Sequence, residues 1–100
     1  MKLRLLLVFL LCWITASGVA GQDISPSQAL RLQQQGVILP MNQLLQRVRR
    51  RYPGELLNAE LEKEGSRYEY ELKILTPQGQ VWEIEVNAQT GAILEAERDD

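Results

Sequence analysis

The spacing of apolar residues changes at Pro53, and that change leaves the chain few folds to adopt. Before it, Met41, Leu44, Leu45, Val48 and Tyr52 fall at i, i+3, i+4, i+7 and i+11, a single stripe on a helix that Pro40 opens and Pro53 closes. After it, Leu57, Ala59 and Leu61 alternate with Asn58, Glu60 and Glu62. Tyr68, Tyr70, Leu72 and Ile74 alternate with Arg67, Glu69, Glu71 and Lys73, and Trp82, Ile84 and Val86 alternate with Glu83, Glu85 and Asn87. A last short strand runs from Ala92 to about Glu97. Strands apolar on one face and polar on the other form an antiparallel sheet covered on one side only. The expected fold is therefore α+β: an antiparallel sheet of three to four strands with one main helix packed on one face. A short N-terminal helix over Asp23 to Gly36 precedes it, with Ser25 as cap, Pro26 in the first turn, Gln28 three residues after the cap and Gly36 as the stop.

One hairpin is specified down to its register. Opposed residues share a face, so Ile74 pairs with Trp82 and Leu72 with Ile84. This leaves Pro77-Gln78-Gly79 as a three-residue loop with Gly79 at the position that needs a positive φ. The same register sets Lys73 opposite Glu83, a favourable pair, and Glu71 opposite Glu85, an unfavourable one. The turn from Asn87 to Gly91 admits two readings. A three-residue loop points Leu94 inward, and a four-residue loop points Ile93 inward.

The amino end has the layout of a cleavable secretory signal peptide: Lys2 and Arg4, an apolar run from Leu5 to Ile14, then small and weakly polar residues from Thr15 to Gly21. The run is shorter than the roughly 20 residues a spanning helix needs. Cleavage is placed after Ala20, with Ala16 and Gly18 offering a second site and an uncleaved anchor as the alternative. Removal of residues 1–20 takes away the single cysteine, Cys12, so the remaining chain forms no internal disulfide. It leaves nine basic and thirteen acidic residues, a net charge of −4. The charges are segregated: Arg31, Arg47, Arg49, Arg50 and Arg51 precede Pro53 with only Asp23 against them, and twelve acidic residues follow it.

The segment Trp82-Glu-Ile-Glu-Val86, Asn87-Ala-Gln-Thr-Gly91, Ala92-Ile-Leu94 resembles the ending of PepSY domains, which close with an apolar strand, Asp-x-x-Thr-Gly and another short apolar strand. The preceding helix and the Tyr68–Thr76 strand match the helix-then-sheet order of that family, and the resemblance covers about Pro40 to Glu97. The chain departs from the motif at Asn87, where Asp is usual, and Asn still accepts a backbone hydrogen bond in a turn. The implied organisation is a leader over 1–20, a short helix and linker over 21–39 and a PepSY-like domain over 40–100. PepSY domains occur in propeptides of thermolysin-type metalloproteases and in bacterial envelope proteins. The resemblance implies a free-standing, non-catalytic module that binds and regulates an envelope partner, as a protease inhibitor or folding aid.

The chain is poorly equipped for catalysis. It has no histidine, and no cysteine once residues 1–20 are gone, which removes Cys-His and Ser-His nucleophile pairs and His- or Cys-based zinc sites. Glu71 and Glu85 are a carboxylate pair by register, but on an open sheet face. No cofactor is implied. Three groups of residues qualify as candidate surfaces. Glu69, Glu71, Glu83 and Glu85 project together from the central hairpin, to meet a basic partner, to hold a cation such as calcium loosely, or to stand as a solvated face that guards the sheet. Arg47, Arg49, Arg50 and Arg51 suit an acidic partner or anionic lipid, or form a solvated helix end salt-bridged to the acidic sheet. Export and a negative net charge argue against nucleic acid. Trp82, Tyr68 and Tyr70 line either a ligand pocket or the core under Val48 and Tyr52. The expected function is a periplasmic or secreted binding module that modulates a peptidase or another envelope protein. A sensory accessory to a membrane receptor and a small cation- or lipid-binding domain are the alternatives. An 80-residue core without disulfide or metal also makes a protein partner or a homodimer plausible.

Overall fold

The computed structural model of the protein describes residues 22–99, and the signal-peptide segment over 1–20 lies outside them. The elements run β1 (Gln22–Asp23), α1 (Pro26–Gln34), α2 (Met41–Arg49), β2 (Glu55–Glu64), β3 (Arg67–Leu75), β4 (Val81–Asn87) and β5 (Ile93–Asp99). The sheet has five strands in the order β1-β2-β3-β4-β5, every neighbouring pair antiparallel. The α+β class and the single main helix over one face are as expected, but the strand number is five rather than three to four. The extra strand is β1, two residues paired with Glu62 and Lys63 at the edge of β2. Asp23 accordingly belongs to a strand, and α1 begins only at Pro26.

Local chemistry sets the helix ends. Ser25 and Gln28 form a capping box, and Gly36 with φ 75° turns the chain out of α1. None of the α1 residues is buried, and Leu30 is 54% exposed, so this helix rests lightly on the domain. The stripe on α2 behaves differently. Leu44 and Val48 are fully buried, and Met41, Leu45 and Tyr52 pack at the margin of the same cluster. The sheet side of that core is Leu61, Tyr70, Leu72, Ile74, Ile84 and Val86, the inward members of the alternation. Each fully buried aliphatic side chain contributes about 1.5–3 kcal/mol.

The central hairpin has the expected register: Ile74 faces Trp82, Leu72 faces Ile84, Lys73 faces Glu83 and Glu71 faces Glu85. Thr76 donates its N–H to the Gln80 carbonyl (2.8 Å), and Gly79 takes φ 83° in the three-residue loop. The β2–β3 connection is a two-residue turn with Gly65 at φ 64°, which fixes Glu64 opposite Arg67.

Two apolar residues lie elsewhere than the alternation alone indicates. Leu57, expected inward with Ala59 and Leu61, falls at a register shift between Leu56 and Asn58 and is 50% exposed. A bulge opposes two residues to one, so Leu56 takes the place across from Ile74 and the phase is restored by Ala59. At the other end the four-residue reading of the Asn87–Gly91 turn is correct. Asn87 donates to the Ala92 carbonyl (2.8 Å), Ile93 pairs with Val86, and Leu94 is 42% exposed. A second bulge after Ile93 then puts Ala96 opposite Ile84, and β5 runs to Asp99, beyond the expected end.

Candidate interaction surface

The helix covers one face of the sheet, and the opposite face carries the charges. Residues 69, 71 and 73 of β3 and 83 and 85 of β4 alternate with the core residues and so project outward together. Register then builds rows across the strands. Glu60 faces Glu71, Glu71 faces Glu85, and Glu85 faces Glu95, a line of four carboxylates crossing β2 to β5. Glu62 faces Glu69 on one side of this line, and Lys73, Glu83 and Glu97 form the next row on the other. All four glutamates singled out from the sequence are therefore brought onto one face. Glu60, Glu62, Glu95 and Glu97 extend it. Glu60 and Glu62 are visible in the β2 alternation once the Gly65-Ser66 turn sets their register. Glu95 and Glu97 depend on the β5 bulge.

Compensation on this face is sparse. Arg67 binds Glu69, with both its Nε and its Nη2 2.6 Å from Oε2, and Glu69 is 8% exposed. Lys73 lies 3.8 Å from Asp99. The Glu85 carboxyl is pushed up from the usual carboxylate range, first by burial and then by Glu95, Glu69, Glu71 and Glu64. Glu62 is raised in the same way, first by burial and then by Asp23, Glu71, Glu64 and Glu60. Cross-strand like charges of this kind are destabilising by roughly 0.2–1 kcal/mol each. Among the described residues no group of three or more Asp or Glu side chains is placed to hold a metal ion.

The arginines are positioned by different demands. Arg47 Nη1 donates to the Thr90 carbonyl, Arg49 Nε donates to the Gly54 carbonyl at 3.0 Å, and the Arg51 guanidinium lies 5.6 Å from the Tyr52 ring centroid. Arg50 is exposed. The Arg67–Glu69 and Lys73–Asp99 ion pairs involve none of these four. Among the described residues no bridge joins the arginine run to the acidic sheet, one of the arrangements the sequence allows, because the sheet itself separates them: α2 lies over the apolar face and the glutamates leave the other.

The turn motif is held by its own side chains. Asn87 Oδ1 accepts from the N–H groups of Gln89 (2.8 Å) and Thr90 (3.1 Å), and Thr90 Oγ1 accepts from Ala92 N–H (3.2 Å). Gly91, at φ 82°, donates to the Asn87 carbonyl (2.7 Å) and packs against the Arg47 side chain. Every contact of Asn87 Oδ1 here is with a neutral amide donor, which an asparagine accepts from as well as an aspartate. Leu39 N–H reaches the Ala88 carbonyl at 2.8 Å, so the linker before α2 is tied to the same turn.

Of the three aromatics, Tyr70 is buried, with its hydroxyl pushed up by burial against a smaller opposing effect of a hydrogen bond to Gln33. Trp82 packs on Tyr52 with ring centroids 5.0 Å apart, and Lys63 lies 5.6 Å from the Tyr68 centroid. Trp82 and Tyr68 are partly buried against the core. A cleft of about 530 Å³ opens between α1 and β2, walled by Ile24, Ala29, Leu30, Met41, Leu61 and Tyr70.

Residues 38–97 match the family model described as peptidase propeptide and YPEB domain, PepSY. The chain belongs to the PepSY family. The match takes in α2, the sheet from β2 onward and the Asn87–Gly91 turn, and β1 and α1 precede it. No curated protein and no solved structure matches the chain. PepSY domains are generally non-catalytic, propeptide-like modules that act through protein contacts.

Proposed function

We propose that this PepSY protein is an exported, non-catalytic binding module that docks a peptidase or another envelope protein through the outward face of its sheet and modulates it, by inhibition or by assisting its folding. Support comes from three sides. PepSY domains are typically extracellular or periplasmic, which agrees with the leader read over 1–20. The family acts through protein contacts. The observation that carries the reading is the carboxylate line Glu60–Glu71–Glu85–Glu95, displayed on a face that no element of the described residues covers. Repulsion among these groups costs the free domain stability, and a basic partner surface would remove that cost. The arginine run contributes to the fold, since Arg47 and Arg49 hold backbone carbonyls of the neighbouring loops.

The test compares capture of envelope proteins by the unmutated protein and by a Glu71→Gln, Glu83→Gln, Glu85→Gln variant. The unmutated protein is expected to retain a basic partner at low salt and release it as salt rises, and the variant is expected to lose it. Equal retention by both proteins would show that the face is not the binding surface.

A further inference from the structure

We infer that β5 accepts an extended basic segment of the partner protein as a sixth strand of the sheet. This rests on the acidic face being the binding surface, and it specifies how the partner engages it.

The two edges of the sheet differ. Beyond β2 the edge is occupied at Glu62 and Lys63 by β1 and bent at Leu57 by the bulge. Beyond β5 the described residues supply no further strand, and β5 is regular from Glu95 to Asp99, pairing residue for residue with Glu85 down to Val81. The direction of its backbone follows from two hydrogen bonds of β4. Ala88 N–H points to Tyr68 on β3, and Asn87 N–H points to Ala92 on the β5 side. Alternation along an antiparallel ladder then turns the odd-numbered residues of β4 toward β5. Their partners Glu95 and Glu97 bond inward, and Ala96, opposite Ile84, turns its N–H and C=O to the open edge.

The side chains along this edge select the occupant. Glu95 and Glu97 project on the charged face and end the rows that cross the sheet, and Asp99, opposite Val81, lies on the same face 3.8 Å from Lys73. A second copy pairing edge to edge would bring these carboxylates against their own counterparts, which is unfavourable. A strand with Lys or Arg at alternate positions would set its cations beside them. Its intervening residues would lie beside Ile93 and Ala96, both partly buried on the helix-covered face, and so should be small and apolar there, with the exposed Arg98 next along the same side of the edge.

The test uses the ¹⁵N-labelled protein in its exported form, from cells expressing the full chain. The probes are the peptide Lys-Val-Lys-Val-Lys-Val-Lys and a block control of four lysines then three valines. The alternating peptide is expected to bind more tightly than the control and to protect the Ala96 amide from hydrogen exchange. Ala96→Pro removes that edge donor without touching a β4–β5 ladder bond and is expected to weaken binding about tenfold, the worth of one backbone hydrogen bond. Protection of the Ala96 amide, read on the unmutated protein, decides the question even if the proline variant does not fold. If the alternating peptide leaves Ala96 unprotected, or binds Ala96→Pro unchanged, while the Glu71→Gln, Glu83→Gln, Glu85→Gln variant loses it, strand addition is overturned and the acidic face stands. If the peptide does not bind the unmutated protein at low salt, both readings fail.

Discussion

Replacing Gly91 by alanine tests the contact between the family turn and the main helix. A Cβ built on Gly91 lies 2.7 Å from Arg47 Cδ and 2.9 Å from Arg47 Nη1, and the residue holds φ 82°. Two costs follow. A left-handed backbone costs a non-glycine residue about 1–2 kcal/mol. The Arg47 side chain must also swing away, giving up its hydrogen bond to the Thr90 carbonyl, worth about 0.5–1.5 kcal/mol. Gly91→Ala should therefore destabilise the domain by about 1.5–3.5 kcal/mol, lowering the melting temperature by roughly 6–28 °C for a domain of this size. Arg47→Ala alone should cost about 1 kcal/mol. In the double variant the clash has no target and the hydrogen bond is already gone, so the total should fall short of the sum by about 1 kcal/mol. Urea unfolding followed by circular dichroism on the four proteins of this cycle measures the coupling. Costs that add to within about 0.3–0.5 kcal/mol would refute the steric link between Gly91 and Arg47.

Mild acidification is expected to stabilise the protein. Glu62 and Glu85 have folded-state pKa values raised above the ordinary carboxylate value, so the folded state binds their protons more tightly than the unfolded one. Their stabilising contribution is complete below the ordinary value and is lost as pH rises through the raised one. Thermal melts stepped down from pH 7 toward the carboxylate range should climb before general acid unfolding begins. Glu85→Gln should raise the melting temperature at pH 7 and flatten that climb, by about 0.2–1 kcal/mol for each like-charge neighbour relieved. Leu44→Ala, at a fully buried position on the α2 stripe, should cost about 2–5 kcal/mol in urea unfolding. Gly54→Ala drives a Cβ into the Leu75 backbone, which cannot swing aside as Arg47 can, and should cost about 1–3 kcal/mol without rescue by a neighbouring truncation.

The legible parts of this fold are those where independent constraints coincide. For β3 and β4, the apolar alternation, the glycine in the loop and the shared-face rule all select one register, and the structure has it. The α2 stripe was legible because five apolar residues at helical spacing have few other uses. The bulge at Leu57 was not legible, since a period of two shows which residues alternate but not where the alternation slips by one. The slip is imposed by the partner strand, as Leu56 takes the place opposite Ile74. Strand β1 was hidden for a related reason: two polar residues carry no pattern, and only the edge of β2 makes them a strand. For the interaction surface, the outward position of Glu69, Glu71, Glu83 and Glu85 followed from alternation alone. The destination of Arg47 did not, because its partner Thr90 is distant in sequence and the contact exists only once the turn has packed against the helix.

A one-sided sheet assigns its two faces to different tasks, and this has a consequence for how the protein can change. Successive residues on a strand answer to separate constraints: Leu72 and Ile84 must fit α2, whereas Glu71 and Glu85 need only remain compatible with water and their neighbours. Substitutions on the charged face are therefore nearly invisible to the core, and a new partner preference can be written there at little risk to folding. The same separation makes the scaffold suitable for grafting, with a foreign recognition surface installed at the even spacing of positions 71, 83 and 85 while the helix and its apolar seat stay unaltered.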